Sequence, residues 1–215
     1  MSAVSKSVIE NTWVPAPWDH LLTLEGDPAY RWAKFYYHHG LLRVEMSPVG
    51  PAHAQDNSLI GAIVLACALR RELRLWGLAN PTLRRSGLQE AQPDLAYYLG
   101  RSPDLPRSNT PLDLAMYGAP VLAIEISATT LADDLEQKRT LYGEMGVAEY
   151  WVVNTRSAEV TIFLFEPNNP QGREEPQSRM LNGLSTALLA QALQVGQAEG
   201  DPAAARYILG NLPSL

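Results

Sequence analysis

Thiols are almost missing from this chain: Cys67 is the one cysteine in 215 residues. That excludes an intrachain disulfide and any zinc site built on paired cysteines. Cys67 sits in an apolar stretch, which predicts a buried, inert thiol. Long hydrophobic runs are also lacking. The longest, Leu59 to Leu69, is too short to cross a bilayer and ends in Arg70 and Arg71. Met1 to Trp18 carries no apolar block of the secretory type, so the expectation is a cytoplasmic protein with no membrane association. Positive charge is scarce: 17 Lys and Arg against 23 Asp and Glu leave a net charge of −6. Such a chain does not coat nucleic acid by charge alone and would need a local basic patch. Arg70, Arg71 and Arg74, or Arg84 and Arg85, are candidates, with a solvated helix face as the alternative. No fixed-period repeat is present, which excludes solenoids and propellers.

What is present is material for a core. Hydrophobic residues make up 46% of the chain, enough for a packed interior rather than disorder. The length fits a single domain over residues 1–215, with its core at about 41–165 and helical decorations at both ends.

Pro17 to Leu24 predicts a short helix stopped by Gly26. Aromatics crowd Tyr30 to Tyr37 and Leu41 to Met46 alternates, predicting a hairpin that closes near His39-Gly40, with His38-His39 in the turn. Ser47 to Pro51 reads as a loop. From His53 to Trp76, Ile60, Ile63, Val64 and Cys67 follow helical spacing, with Gly77 as the stop. Thr82 to Arg85, Pro93 to Leu99, Val121 to Ser127, Glu149 to Asn154 and Glu159 to Phe165 read as strands. Leu131 to Met145 reads as a helix entered through a Thr130–Asp133 capping box. Glu166 to Ser178 is polar and reads as a surface loop. Ser185 to Gln197 and a segment starting at Asp201-Pro202 read as helices that cover the sheet or meet another subunit. The order gives an α/β fold: a mixed sheet flanked by helices.

Strand alternation supplies the sharpest chemical clue. Leu122, Ile124 and Ile126 share one face of their strand; Val121, Ala123, Glu125 and Ser127 share the other. A glutamate in so apolar a strand needs a metal, a cation or a hydrogen-bond network to offset its burial. Asp94 faces the same way as Ala96 and Tyr98, placing a second carboxylate on an apolar strand. Lys138 falls inside the apolar stripe Leu131, Leu135, Tyr142, Met145, where a lysine wants a carboxylate or a phosphate. A purely structural salt bridge between Glu125 and Lys138 is the alternative.

The segments Gln92-Pro93-Asp94, Gly118 to Ser127, Asp134, Lys138, Tyr142 and Gly146 to Trp151 resemble the Uma2 family of restriction endonuclease-like proteins. The likeness runs from about Gln92 to Phe165, with Glu45-Met46-Ser47-Pro48 and His53 as a fainter upstream match. The resemblance implies a PD-(D/E)XK nuclease fold, a divalent metal (Mg²⁺ or Mn²⁺) and often a homodimer; it does not by itself assign a substrate, and DNA is the expectation taken forward. Asp94 matches the aspartate of the PD element and Glu125 the acidic residue of the second half. Ser127 stands where the motif lysine usually lies, and Lys138 matches the lysine that the family carries on the following helix. Asp94, Glu125 and the backbone carbonyl of Ile126 suit a hard cation that takes few protein ligands. Lys138 would position or deprotonate the nucleophile and hold the scissile phosphate, with Tyr142 steadying either. Glu45 and His53 are accessory candidates. Two other functions compete with a DNA endonuclease. One is a catalytically inactive nucleic-acid- or protein-binding module, favoured by Ser127 and the acidic charge. The other is a metal-dependent hydrolase of a small phosphorylated substrate.

Overall fold

The computed structural model describes residues 9–46, 49–100 and 102–214. Ser47 and Pro48, part of the expected loop and of the upstream family element, lie outside them. The elements run β1 (Val14–Pro15), α1 (Trp18–Glu25), β2 (Lys34–His38), β3 (Leu41–Glu45), α2 (Pro51–Arg70), β4 (Leu75–Ala79), β5 (Leu83–Arg85), β6 (Gln89–Ala91), β7 (Leu95–Leu99) and β8 (Leu112–Asp113). They continue with α3 (Leu114–Tyr117), β9 (Leu122–Ser127), α4 (Leu131–Leu135), α5 (Gln137–Glu144), β10 (Glu149–Asn154), β11 (Glu159–Glu166), β12 (Asn169–Glu175), α6 (Thr186–Glu199) and α7 (Asp201–Asn211).

The fold is the expected α/β class, built on two six-stranded sheets rather than one. One sheet has the order β12-β11-β10-β9-β7-β4, the other β1-β3-β2-β6-β5-β8. In the first, β9 and β10 are parallel and the other pairs antiparallel. Leu122, Ile124 and Ile126 pack on one side of it with Leu59 and Ile63 of α2, Leu193 of α6 and Ile208 of α7. The last two helices therefore cover the sheet. On its other side, Ala123, Tyr150 and Val152 meet Leu141 and Tyr142 of α5 and Tyr36, Leu83 and Ala91 of the second sheet. A smaller cluster, Leu21, Phe35, Tyr37 and Val44, seats α1 on the far face of the second sheet.

Three segments depart from the sequence-based reading. Helix α2 ends at Arg70 rather than at Trp76. Glu72 takes a left-handed conformation (φ 54°), Leu73 N–H donates to Ala68 O (2.9 Å) and Glu72 N–H to Leu69 O (3.2 Å). That two-bond cap satisfies the last carbonyls and ends the helix. The chain then returns as β4, where Gly77 pairs with Tyr97. A Cβ at Gly77 would stand 2.9 Å from the Tyr97 ring, so this glycine marks a close approach and not a helix stop. The Leu131–Met145 helix is broken at Glu136 (φ −116°, ψ −83°). No capping box forms, because the Thr130 hydroxyl donates to Asp134 Oδ2 at 2.6 Å instead. Finally, Asn169–Glu175 is a strand, not a loop: it pairs with β11 at the edge of the sheet. Edge strands carry charged and polar residues that block further pairing, and that polarity hid it. The hairpin, by contrast, turns where expected, with His39 (φ 47°) and Gly40 (φ 84°) both left-handed, as the tight turn between twisted strands requires.

Helix α5 lies hard against β12. A Cβ at Gly143 would stand 2.1 Å from Pro170 O, whereas at Gly61, inside α2, the nearest atom is 4.0 Å away. Gly143→Ala is therefore expected to lower stability by about 1–3 kcal/mol through overpacking. Gly61→Ala should raise it by about 0.5–1 kcal/mol through helix propensity. Denaturant unfolding of the two variants checks both signs.

Candidate active site

Strands β7 and β9 are antiparallel, with Leu95 opposite Ile124. Continuing that register sets Asp94 opposite Glu125, so two carboxylates far apart in sequence become neighbours. Asp94 Oδ2 accepts the Ile126 N–H at 2.8 Å, which locks the aspartate to the strand that carries the glutamate. The carbonyl of a strand residue points to the same side as its N–H, so that of Ile126 also faces the Asp94 edge. Both carboxylates are buried, 2% and 3% exposed. They line a recess of about 380 Å³ together with Lys34, Glu45, His53, Ile126 and Lys138.

The recess is completed by the second sheet. Lys34 and Tyr36, on one face of β2, were not singled out from sequence. Lys34 Nζ lies 2.6 Å from Asp94 Oδ1. The Tyr36 hydroxyl lies 3.2 Å from Glu125 Oε1 and 3.1 Å from the Gln92 carbonyl. The available signal was the alternation Lys34, Tyr36, His38, which marks a polar face within an aromatic strand. Lys34 sits opposite Glu45 in the hairpin, and Glu45 reaches Lys138.

Helix α5 contributes from the other side. Lys138 is buried, 2.9 Å from Asp134 Oδ1, 3.0 Å from Glu45 Oε1 and 3.9 Å from Glu125 Oε1. Its ammonium also lies 4.0 Å from the centre of the Tyr36 ring, a favourable cation–π distance. Tyr142, one turn on, donates its hydroxyl to Glu125 Oε1 at 2.7 Å. It thus serves the glutamate, not the lysine or an open phosphate position. His53, in the first turn of α2, places Nε2 3.2 Å from Asp94 Oδ2, while its Nδ1 has no hydrogen-bond partner among the described residues. Ser127 Oγ is likewise buried with no hydrogen-bond partner among the described residues.

These contacts sort the protonation states. Burial pushes the Asp94 carboxyl up, but the His53 hydrogen bond and the charge of Lys34 outweigh it and hold the group well below the usual carboxylate range. Burial would lower Lys138, yet Glu125, Asp134 and Glu45 raise it above the ordinary lysine value. Glu125 goes the other way: burial dominates, Lys138 offsets it in part, Asp94 adds repulsion, and the carboxyl is pushed up to about 8. At neutral pH the site thus holds a proton on Glu125. Among the described residues, Tyr36, Tyr142 and Lys138 all meet this carboxyl at Oε1. An added divalent cation is what would let Glu125 ionise. Two carboxylates, a strand carbonyl and a recess with room for water form an all-oxygen donor set suited to Mg²⁺ or Mn²⁺.

Of the two readings of the arginines, the phosphate-facing patch is not the one found at this recess for Arg70, Arg71, Arg84 and Arg85. Arg84 is taken up by Glu90 and Glu25, and Arg85 donates to the carbonyls of Glu144 and Met145. Arg71 binds the carbonyls of Asn182 and Pro213. Arg70 closes the helix that His53 begins, roughly 25 Å away at about 1.5 Å per residue.

Comparison with known proteins bears on this arrangement. A family model described as "Uma2: Putative restriction endonuclease" matches residues 18–198. A crystal structure of a putative nuclease belonging to DUF820 from Anabaena variabilis ATCC 29413 superposes with a TM-score of 0.54 at 19% identity. The alignment covers 83% of this chain and 99% of that one, and it supports the fold. No match was found among curated proteins. Among the described residues, no helix is long and apolar enough to cross a membrane.

A protonated Glu125 makes its amide isostere a test. Below pH 4.5 the group holds its proton folded and unfolded. From there to about 8 only the folded chain keeps it, so wild-type stability falls with rising pH by up to about 1.4 kcal/mol per unit. Glu125→Gln, which has no proton to lose, should gain on the metal-free wild type over that window. Glu125→Ala strands two tyrosine hydroxyls and Lys138 and should cost about 2–4 kcal/mol near pH 5, a deficit that shrinks as pH rises because alanine too has no proton to lose. Melting curves between pH 5 and 9 separate the two.

Proposed function

The chain belongs to the Uma2 family of putative restriction endonucleases, and on that premise we propose that it hydrolyses phosphodiester bonds in DNA with a divalent metal held by Asp94, Glu125 and the Ile126 carbonyl. The observation that carries this reading is the pair of buried carboxylates on adjacent strands, opening into one recess with a lysine at its edge. The chemistry supplied by a bound Mg²⁺ or Mn²⁺ is Lewis acidity, acidifying a water and neutralising charge on the phosphate.

The residues divide the remaining work. Asp94, held ionised, would be the permanent anionic ligand, and Glu125 would have to give up its proton to serve as the second. Lys34 is partly exposed and is the cation free to leave Asp94 and pair with the scissile phosphate. Lys138, enclosed by three carboxylates, stays an ammonium; it cannot serve as a general base, and it holds Glu125 and Glu45 in place. The N-terminus of α2, with Gly50 and His53 on the recess wall, offers free amide N–H groups to an anion. Trp32 is 81% exposed on the same recess, with the Arg31 guanidinium 4.6 Å from its ring centre, a surface on which a base can stack.

A second reading has one observation in its favour. Lys34, His53 and the Ile126 N–H already occupy Asp94, and three carboxylates already occupy Lys138. Such a self-satisfied network suits a non-catalytic module that binds nucleic acid or protein.

Calorimetric titration of Mg²⁺ and Mn²⁺, with cleavage of labelled single- and double-stranded DNA, decides between them. Asp94→Asn is expected to lose both metal binding and cleavage. Lys34→Met should keep the metal and lose on the order of 100-fold in rate, the usual effect of removing one charge-stabilising group. Because Glu125 must release its proton, apparent metal affinity should rise about tenfold per pH unit below 8 and then level off. Wild-type cleavage in both variants would overturn the site assignment. DNA binding that survives Asp94→Asn without any cleavage in wild type would favour the binding module.

A further inference from the structure

Another cluster of ligating side chains lies at the opposite end of β2. Successive strand residues point to opposite faces, so His38 and His39 would ordinarily diverge. The left-handed conformation of His39 (φ 47°) brings its ring back, and the two ring centres stand 4.8 Å apart. His38 Nε2 then lies 3.0 Å and His39 Nε2 2.6 Å from the same oxygen, Oε2 of Glu144. The Gln89 amide donates to that oxygen as well, at 3.1 Å. Three nitrogens therefore converge on one carboxylate oxygen, which has about two lone pairs to offer. A cation between the imidazoles and the carboxylate relieves that crowding, with the Nε2 lone pairs turned to the ion and Gln89 kept on the outside.

We propose that His38, His39 and Glu144 form a transition-metal site of the zinc class, separate from the Asp94–Glu125 recess. All three ligand atoms lie within 4.8 Å of one another. Two imidazoles and one carboxylate suit Zn²⁺, Co²⁺ or Ni²⁺, whereas the all-oxygen recess suits Mg²⁺. The cluster opens on a cavity of about 630 Å³ that His39 and Glu144 line with Arg85, so a fourth position remains for water or a small anion. The two sites are not a two-metal pair. Lys34 and His38 are four residues apart on one strand, roughly 13 Å at about 3.3 Å per residue, against about 4 Å for paired catalytic ions. Their placement couples them nonetheless. His38 ends the strand that carries Lys34 and Tyr36, and Glu144 ends the helix that carries Lys138 and Tyr142. An ion there braces both elements that close around Glu125.

The test is a Co²⁺ titration of the full chain in excess Mg²⁺, read by visible absorption and by Zn²⁺ displacement, on wild type, His39→Gln, Glu144→Gln and Asp94→Asn. His39 is exposed in a turn, so its replacement leaves the fold intact, as circular dichroism would verify. One equivalent of Co²⁺ is expected in wild type and in Asp94→Asn, weakened on the order of 100-fold or more in the other two. Co²⁺ binding that His39→Gln and Glu144→Gln leave unchanged would overturn the proposal, as would no binding in wild type. Signal lost only in Asp94→Asn would overturn it while leaving the nuclease reading standing.

Discussion

A carboxylate buried within a β-sheet costs several kcal/mol unless other groups meet its charge, and Glu125 imposes that demand on everything around it. Tyr36 and Tyr142 supply hydroxyls and Lys138 a positive charge. Lys138, itself buried, then needs Asp134 and Glu45. Each answer to one buried charge creates the next requirement. The chain of partners runs on to Arg43, which binds Glu45 and lies 3.3 Å from Asp133. The network still leaves Glu125 protonated near neutral pH, one positive charge short of balance.

That shortfall is where structure and chemistry meet. A site built only for stability would be expected to close its charge balance internally, since an unmatched buried group serves no purpose there. A site built to take up a cation has to be left short. The same economy fits the two lysines: Lys138 is locked in place by carboxylates, and Lys34 is held by one aspartate at the rim. Only the second can change partner while its own ammonium keeps contact with solvent.

Much of the frame around this network was legible in the sequence. The alternation of Leu122, Ile124 and Ile126 against Ala123 and Glu125 assigned the faces of β9 correctly, because one face packs on α2, α6 and α7 and the other on α5 and the second sheet. The hairpin at His39-Gly40 was legible because few residues tolerate two left-handed positions in succession. The end of α2 was not, because Glu72 occupies a position where glycine is the usual sign. Strand β12 was not, because an edge strand is polar for the same reason a loop is. The second sheet escaped notice since β1, β5, β6 and β8 are only two or three residues long and β2 meets β6 far along the chain, with Tyr37 opposite Glu90.

By itself, then, the sequence determined which carboxylates had to be compensated, Asp94 and Glu125, and named one compensating cation, Lys138, from its place on an apolar helical stripe. Those are local facts: side-chain period and the cost of burying charge are set by neighbours in the chain. Only the tertiary structure decided that Lys34 and Tyr36 face the same recess, that Tyr142 serves Glu125, and that Glu144 meets two histidines more than a hundred residues away. Those depend on strand order and on how two sheets close over a helix. Such long-range register is fixed by packing of the whole chain, and no local pattern encodes it.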